Sequence, residues 1–375
     1  MEFDVSWLLL GFPAAFALGW MASRLDIRQL RIENRQAPKA YFRGLNFLLN
    51  EQQDQAIDAF IEAVRNDPDT SELHFALGNL FRRRGEYERA VRVHEHLLSR
   101  GDLSRAERHR AQHALALDFL KAGLLDRAEE ALRKLEGTEY EPQARLALLS
   151  IYERTRDWSG ASEIARKLEA SGEGSFNLRL AHYLCEQAQQ APAADAERLV
   201  RQAMAAAPGA ARPAMDLAAL QRRAGDARAA VDTLVSLAAA NPPATGLLAS
   251  MLAESARACG RLDPARQVLR VHYEGAPTLN VLEALASLED DPQAARELYA
   301  RHLEREPSLV AAGRWMAGEP PGPRGALLQR ALDHAARPLT RYRCVACGFE
   351  ANRHFWQCPG CQAWDSYPPR RVEEL

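Results

Sequence analysis

Apolar residues are distributed along this chain in three different ways, and each predicts a different element. The first is an unbroken run. Val5 to Ser23, VSWLLLGFPAAFALGWMAS, carries no charge, and as a helix it reaches about 28 Å, close to the hydrocarbon thickness of a bilayer. Trp7 and Trp20 lie near its ends, where amphipathic rings favour the headgroup layer. Glu2 and Asp4 precede it, while Arg24, Arg28, Arg31, Arg35 and Lys39 follow, an asymmetry that places the C-terminal side in the cytoplasm. A cleaved signal peptide would begin with positive charge, and this start is acidic. Residues 1–23 therefore read as the anchor of a single-pass protein. Gly11, Ala15 and Gly19, four apart, give it a small-residue face suited to close helix packing. Residues 24–39 read as a basic juxtamembrane segment, its arginines forming one helical stripe before Pro38.

The second pattern is helical and repeats. Small Ala recurs at 56, 90, 128, 161, 196, 230, 265 and 295, a period near 34 residues. Four residues after each comes a larger one in most units: Phe60, His94, Leu132, Val200, Leu234, Leu269 and Tyr299. Five before, Gly stands at 85, 123, 225 and 260, where a turn between two helices wants a left-handed residue. Pro follows twelve after, at 68, 208, 242, 277 and 307. A generic helical bundle predicts no such phase. The pattern resembles the tetratricopeptide repeat, in which small residues let helices cross closely and Pro ends each pair. Units four, five and eight depart from it, with poor turn signals at Arg156, Ala191 and Asp290. A further pair follows through Arg314-Trp315 and Ala326–Arg337, its halves separated by Gly318–Gly325. The expected fold is all-α: a tetratricopeptide-repeat solenoid over 40–337, about eight or nine helical pairs, after one transmembrane helix.

First helices of such a solenoid line a groove that holds peptides or protein segments. The repeat phase puts Asn79, Arg82 and Arg83 there, with Arg222 and Arg223 in another repeat and Arg154 in a degenerate one. Several guanidinium groups would suit an acidic or carboxylate-ended peptide; solvated helix-surface charge is the plainer alternative.

Composition adds limits. The 375 residues carry a formal net charge of −2 and only 7% aromatics, which gives no global case for a nucleic-acid binder and favours helices over sheets. Catalytic chemistry is absent from the repeat: His94-Glu95-His96 lacks metalloprotease spacing, and no phosphate loop, nucleophile elbow or paired carboxylates occur. The scattered histidines read as structural, and Cys185 and Cys259 as small core residues.

The third stretch, residues 341–367, is too short for a core of its own and has four cysteines instead. Cys344-x2-Cys347 and Cys358-x2-Cys361 are ten residues apart. Each pair lets two thiolates leave one tight turn for the same ion, and two turns close a tetrahedral all-sulfur shell. One thiolate-bound metal ion, iron or zinc, is the cofactor expected, and with every position filled by sulfur its role is structural. Phe349, Phe355, Trp356 and Trp364 can cover the site, and His354 reads as a neighbour rather than a donor. The CxxCG…CPxC pattern resembles rubredoxin knuckles, with a spacer nearer that of a zinc ribbon. Residues 368–375 form the remaining tail.

An N-terminal span, a tetratricopeptide array and a terminal rubredoxin-like quartet at Cys344, Cys347, Cys358 and Cys361 together resemble the lipopolysaccharide assembly protein B family. The resemblance implies a bacterial inner-membrane protein with a periplasmic N-terminus, acting as a regulatory adaptor rather than an enzyme. It also implies partners: a membrane-bound AAA+ metalloprotease, the lipid A pathway deacetylase that this protease degrades, a multi-span lipopolysaccharide-sensing regulator, and other lipopolysaccharide assembly proteins. Homodimerisation stays open. Two other readings compete with it: a tethered rubredoxin-like electron carrier, which a colourless zinc protein would eliminate, and a nucleic-acid-binding zinc ribbon drawing on Arg341, Arg343, Arg353, Arg370 and Arg371.

Overall fold

The computed structural model describes residues 15–21, 39–317, 322 and 324–375. The predicted span falls mostly outside them. Its described part, 15–21, is helical and holds Ala15 and Gly19, with Phe16, Leu18, Trp20 and Met21 exposed; Gly11 and the arginine stripe lie outside the described residues. Among the described residues no helix is long and apolar enough to cross a membrane.

The chain divides into two compact units, Met1–Arg154 and Thr155–Leu375. The first contains α1 (39–49), α2 (Gln53–Asn66), α3 (Ser71–Arg84), α4 (Tyr87–Ser99), α5 (Arg105–Ala122), α6 (Leu125–Arg133) and α7 (Glu141–Thr155). These are antiparallel pairs, and the periodic alanines mark where the helices cross: Ala56, Ala90 and Ala128 are fully buried, as is Phe60. Close approach decides Gly78 on α3. A Cβ there would lie 2.5 Å from His94 Nε2 on α4, so the bare backbone makes room for a buried imidazole. His94 Nδ1 in turn meets Asp118 Oδ2 at 2.5 Å, and Arg82 Nη1 donates to Asp118 Oδ1 at 2.7 Å. One wholly buried carboxylate thus ties α3, α4 and α5 together.

The second unit contains α8 (Trp158–Ser171), α9 (Asn177–Gln190), α10 (Ala193–Ala206), α11 (Ala211–Arg223), α12 (Ala227–Ala240), a 3-10 turn Pro242–Ala244, α13 (Thr245–Cys259), α14 (Leu262–Gly275), α15 (Leu279–Leu288), α16 (Pro292–Arg305), α17 (Leu309–Ala317) and α18 (Gly325–Ala336). The last two are the extra pair expected beyond the periodic region. Ala230, Leu234, Ala265 and Leu269 sit at zero exposure in one continuous core with α13 and α15. Cys185 is buried in α9 and Cys259 ends α13, both as small packing residues.

The turn position is more uniform in the structure than in the sequence. Gly85, Gly123, Gly225 and Gly260 have φ from +70 to +84°, as the pattern predicts. Where glycine is missing, Glu51 and Arg156 adopt the same left-handed backbone at φ +59° and +58°. Unit four therefore keeps its geometry despite the poor signal at Arg156, at a conformational cost of about 1 kcal/mol. Ala191 instead stays extended before Pro192, so the fifth unit turns differently.

A two-stranded antiparallel ribbon, β1 (Tyr342–Arg343) and β2 (Glu350–Ala351), pairs Tyr342 with Ala351 and Arg343 with Glu350. It opens the C-terminal module of the second unit.

Candidate metal centre

Two knuckles of matching geometry present the cysteines. In each, the first cysteine's N–H donates to a carbonyl five residues on, Cys344 to Phe349 and Cys358 to Ala363, both at 2.9 Å. In each, the residue after the second cysteine returns its N–H to the first cysteine's carbonyl, from Gly348 and from Gln362. That residue is left-handed both times, φ +77° at Gly348 and +61° at Gln362. Glycine takes this conformation freely, so the second knuckle pays for a side chain that the first omits.

All four Sγ atoms lie within 4.8 Å of one another. Cys344 to Cys361 is 3.8 Å and Cys347 to Cys358 is 3.7 Å. A tetrahedron with metal–sulfur bonds of about 2.3 Å has edges of about 3.8 Å, so the quartet fits a single ion. Zinc and iron fit equally, since thiolate softness and tetrahedral geometry suit both. A metal bound here supplies cross-linking, since four sulfurs leave no open position for a substrate.

At Cys344 and Cys358 the electrostatics favour thiolate where burial alone would not. Burial pushes the Cys344 thiol up, but hydrogen bonds from Ser366 and from the backbone of Cys347 and Ala346 outweigh it and bring the thiol down to about 6. Cys358 is also lowered: burial opposes it, and the N–H groups of Cys361 and Gly360 prevail. Cys347 is pushed up to about 12: the Phe349 N–H pulls it down, while burial and the hydrogen bonds its own S–H gives to the other sulfurs raise it. Tyr367 is raised by burial and by the Cys358 sulfur 3.9 Å from its hydroxyl. His354 is not a ligand. Its Nε2 lies 3.1 Å from the Tyr367 carbonyl, and burial lowers its pKa.

The module is held against the first helices of the second unit's pairs. Trp364 stacks on His182 of α9 with centroids 4.8 Å apart, and meets Tyr183 and Trp158 edge-on. His182 Nε2 pairs with Asp365 Oδ2 at 2.8 Å. Tyr342 Oη accepts from Asn280 of α15. Residues 368–375 are anchored as well. Arg371 reaches Asn280 Oδ1 at 2.8 Å and Glu283 Oε2 at 2.5 Å. Glu374 accepts the Leu279 N–H at 2.8 Å, and Glu373 accepts the Ser308 hydroxyl and the Leu309 N–H. Two carboxylates from the far end of the chain thereby cap α15 and α17, where orphan N–H groups and the helix dipole favour negative charge. Tail and α13 approach so closely that a Cβ on Gly246 would lie 2.7 Å from the Pro369 carbonyl oxygen.

Sequence reading missed His182, Asn280, Glu283 and the capping pair. The separations, 183 residues for His182–Asp365, exceed any local pattern. The arginines of a nucleic-acid reading are mostly engaged: Arg341 and Arg343 pair with Glu350, Arg371 with Glu283, and Arg353 lies over Phe355.

The groove residues divide by unit. In the first, Asn79, Arg82 and Arg83 line a cavity of about 630 Å³ with Tyr41, Leu45 and Leu48. Asn79 Oδ1 accepts from Arg82, which also holds Asp118, so of Arg82 and Arg83, both lining the cavity, Arg82 is tied into the packing of the unit. Arg154 is exposed in the last turn of α7. In the second unit, Arg222 pairs with Glu254 at 2.8 Å and Arg223 is exposed at the end of α11.

The family described as "Rubredoxin metal binding domain" matches residues 342–368, and the tetratricopeptide repeat matches 43–93 and 113–176. A solved tetratricopeptide repeat protein from Parabacteroides merdae aligns with 68% of this chain and 99% of its own, at 15% identity and a TM-score of 0.35. The chain is 29% identical over 391 residues to lipopolysaccharide assembly protein B of Haemophilus influenzae, covering 98% of both. It is 31% identical over 380 residues to lipopolysaccharide assembly protein B of Escherichia coli K12, covering 97% of this chain and 98% of that one. With that identity sustained from end to end, the chain belongs to the lipopolysaccharide assembly protein B family.

Proposed function

We propose that the chain is a non-enzymatic adaptor of the bacterial inner membrane that regulates lipopolysaccharide synthesis. On this reading it brings the lipid A pathway deacetylase to a membrane-bound AAA+ metalloprotease, and a multi-span lipopolysaccharide-sensing regulator restrains it. Val5–Ser23 anchors it with the N-terminus periplasmic and the repeats cytoplasmic. The exposed Phe16, Leu18, Trp20 and Met21 support that placement, and Gly11, Ala15 and Gly19 offer the face for a helix from a membrane partner. The thiolate-bound ion holds the module, and with it the second unit's face, in one conformation.

The observation that carries the adaptor reading is the open cavity of the first unit. It joins an apolar wall of Tyr41, Leu45 and Leu48 to the Arg83 guanidinium, which suits an amphipathic acidic segment of a partner protein. Crosslinked co-purification from membranes tests it. Wild type should recover protease and deacetylase, Arg83→Glu should lose at least one of them about tenfold, and deletion of Met1–Ser23 should abolish regulation while the repeats still fold. Arg82 is unsuitable for this test because it holds Asp118. Unchanged recovery of both partners by Arg83→Glu would refute the cavity's role, and full regulation by the truncated chain would refute the anchor's.

A further inference from the structure

The second unit has an apolar cleft that neither the repeat packing nor the sulfur quartet uses. It encloses about 1010 Å³. Val235, Val268 and Val271 of α12 and α14 form one wall; Val345, Pro369 and Leu375 of the C-terminal segment form the other. Val271, Val345 and Leu375 are 67%, 73% and 59% exposed, so the cleft keeps large aliphatic groups in water. Such surface is unusual without an occupant.

The chemistry of the lining narrows what that occupant is. The wall from α12 and α14 is helical, with backbone N–H and C=O groups already paired internally, and Pro368 and Pro369 of the other wall have no N–H, so an extended peptide would find few partners there for its own backbone. A flexible hydrocarbon chain needs none. No Asp or Glu side chain lines the cleft, and its charged side chain is Arg370, which is exposed and makes no ion pair among the described residues. A mostly apolar cavity with one placed cation matches a ligand that is a long aliphatic chain ending in an anion.

We propose that this cleft binds the acyl chain of an anionic amphiphile, the chain lying between α12, α14 and the C-terminal segment and the anionic head at Arg370. This stands apart from the adaptor reading. It also makes binding depend on the metal, because the wall bearing Val345, Pro369 and Leu375 is positioned by the folded module.

The test uses the full chain in nanodiscs of neutral phosphatidylcholine, with a diazirine-bearing palmitate as probe and peptide mapping of the adduct. Label should fall within 235–246, 267–276 and 368–375. Val271→Asp puts a charge in the wall at an exposed position and should cut labelling about tenfold with helix content unchanged. Arg370→Glu should remove the advantage of palmitate over hexadecanol as competitor, and Cys344→Ser with Cys347→Ser should abolish labelling at these segments. Label mapping elsewhere, wild-type labelling of Val271→Asp, or labelling that survives the double cysteine variant would overturn the site. Equal competition by hexadecanol and palmitate in the wild type would overturn the role of Arg370.

Discussion

In the first unit, the half-buried Tyr41, Leu45 and Leu48 of α1 line a cavity beside Arg83 of α3, and the unit's buried charge is neutralised within it. In the second unit, α9, α13, α15 and α17 carry the chain's own residues 342–374 instead. The contrast is visible in two histidines. His94 pairs with Asp118, both wholly buried, and the pair serves only to fix helices. His182 is equally buried, but its partner Asp365 comes from the metal module and is 37% exposed. One repeat architecture thus yields a face that keeps an open cavity and a face that is covered by the chain's own C-terminal module. Which one results depends on long-range partners rather than on the repeat itself.

The strongest way to break this comparison is to remove the ion. Cys344→Ser with Cys347→Ser forfeits a binding free energy of about 10 kcal/mol, so the module should unfold. The readouts are loss of stoichiometric metal and a red shift of Trp356 and Trp364 emission. In the first unit the sharpest perturbation is Asp118→Ala, which strands Arg82 beside a buried imidazole. It should cost about 3 kcal/mol, read as a lower denaturation midpoint with metal content unchanged. Detaching the tail alone is milder. Glu373→Ala with Glu374→Ala uncaps α15 and α17 for about 1–2 kcal/mol, and should lower the melting temperature while the ion stays bound. The smallest effect has the opposite sign. Gln362→Gly relieves the left-handed backbone of the second knuckle and should stabilise the module by about 1 kcal/mol, measurable as slower metal loss to a chelator.

What the sequence disclosed follows from how local each feature is. Helix pairing was legible because Ala56, Ala90 and Ala230 must be small wherever helices cross, and all three are fully buried. The quartet was legible because CxxC spacing reports its own turn, and the sulfurs converge as expected. Glu51 and Arg156 were not, since a left-handed turn without glycine leaves no compositional mark. Neither was the role of Arg82, for the phase that put it on the groove side is blind to Asp118, 36 residues away. The tail read as an appendage because the partner of its Arg371 guanidinium is distant: Glu283 lies 88 residues away.

Hydrogen exchange of the full chain with and without its ion, followed peptide by peptide, tests most directly whether the metal keeps the second face covered. Metal removal should strip protection from 177–190 and from the first turns of α15 and α17, while 71–84 of the open face keeps its rate. Unchanged protection at 177–190 and at Leu279 after complete metal removal would contradict the account.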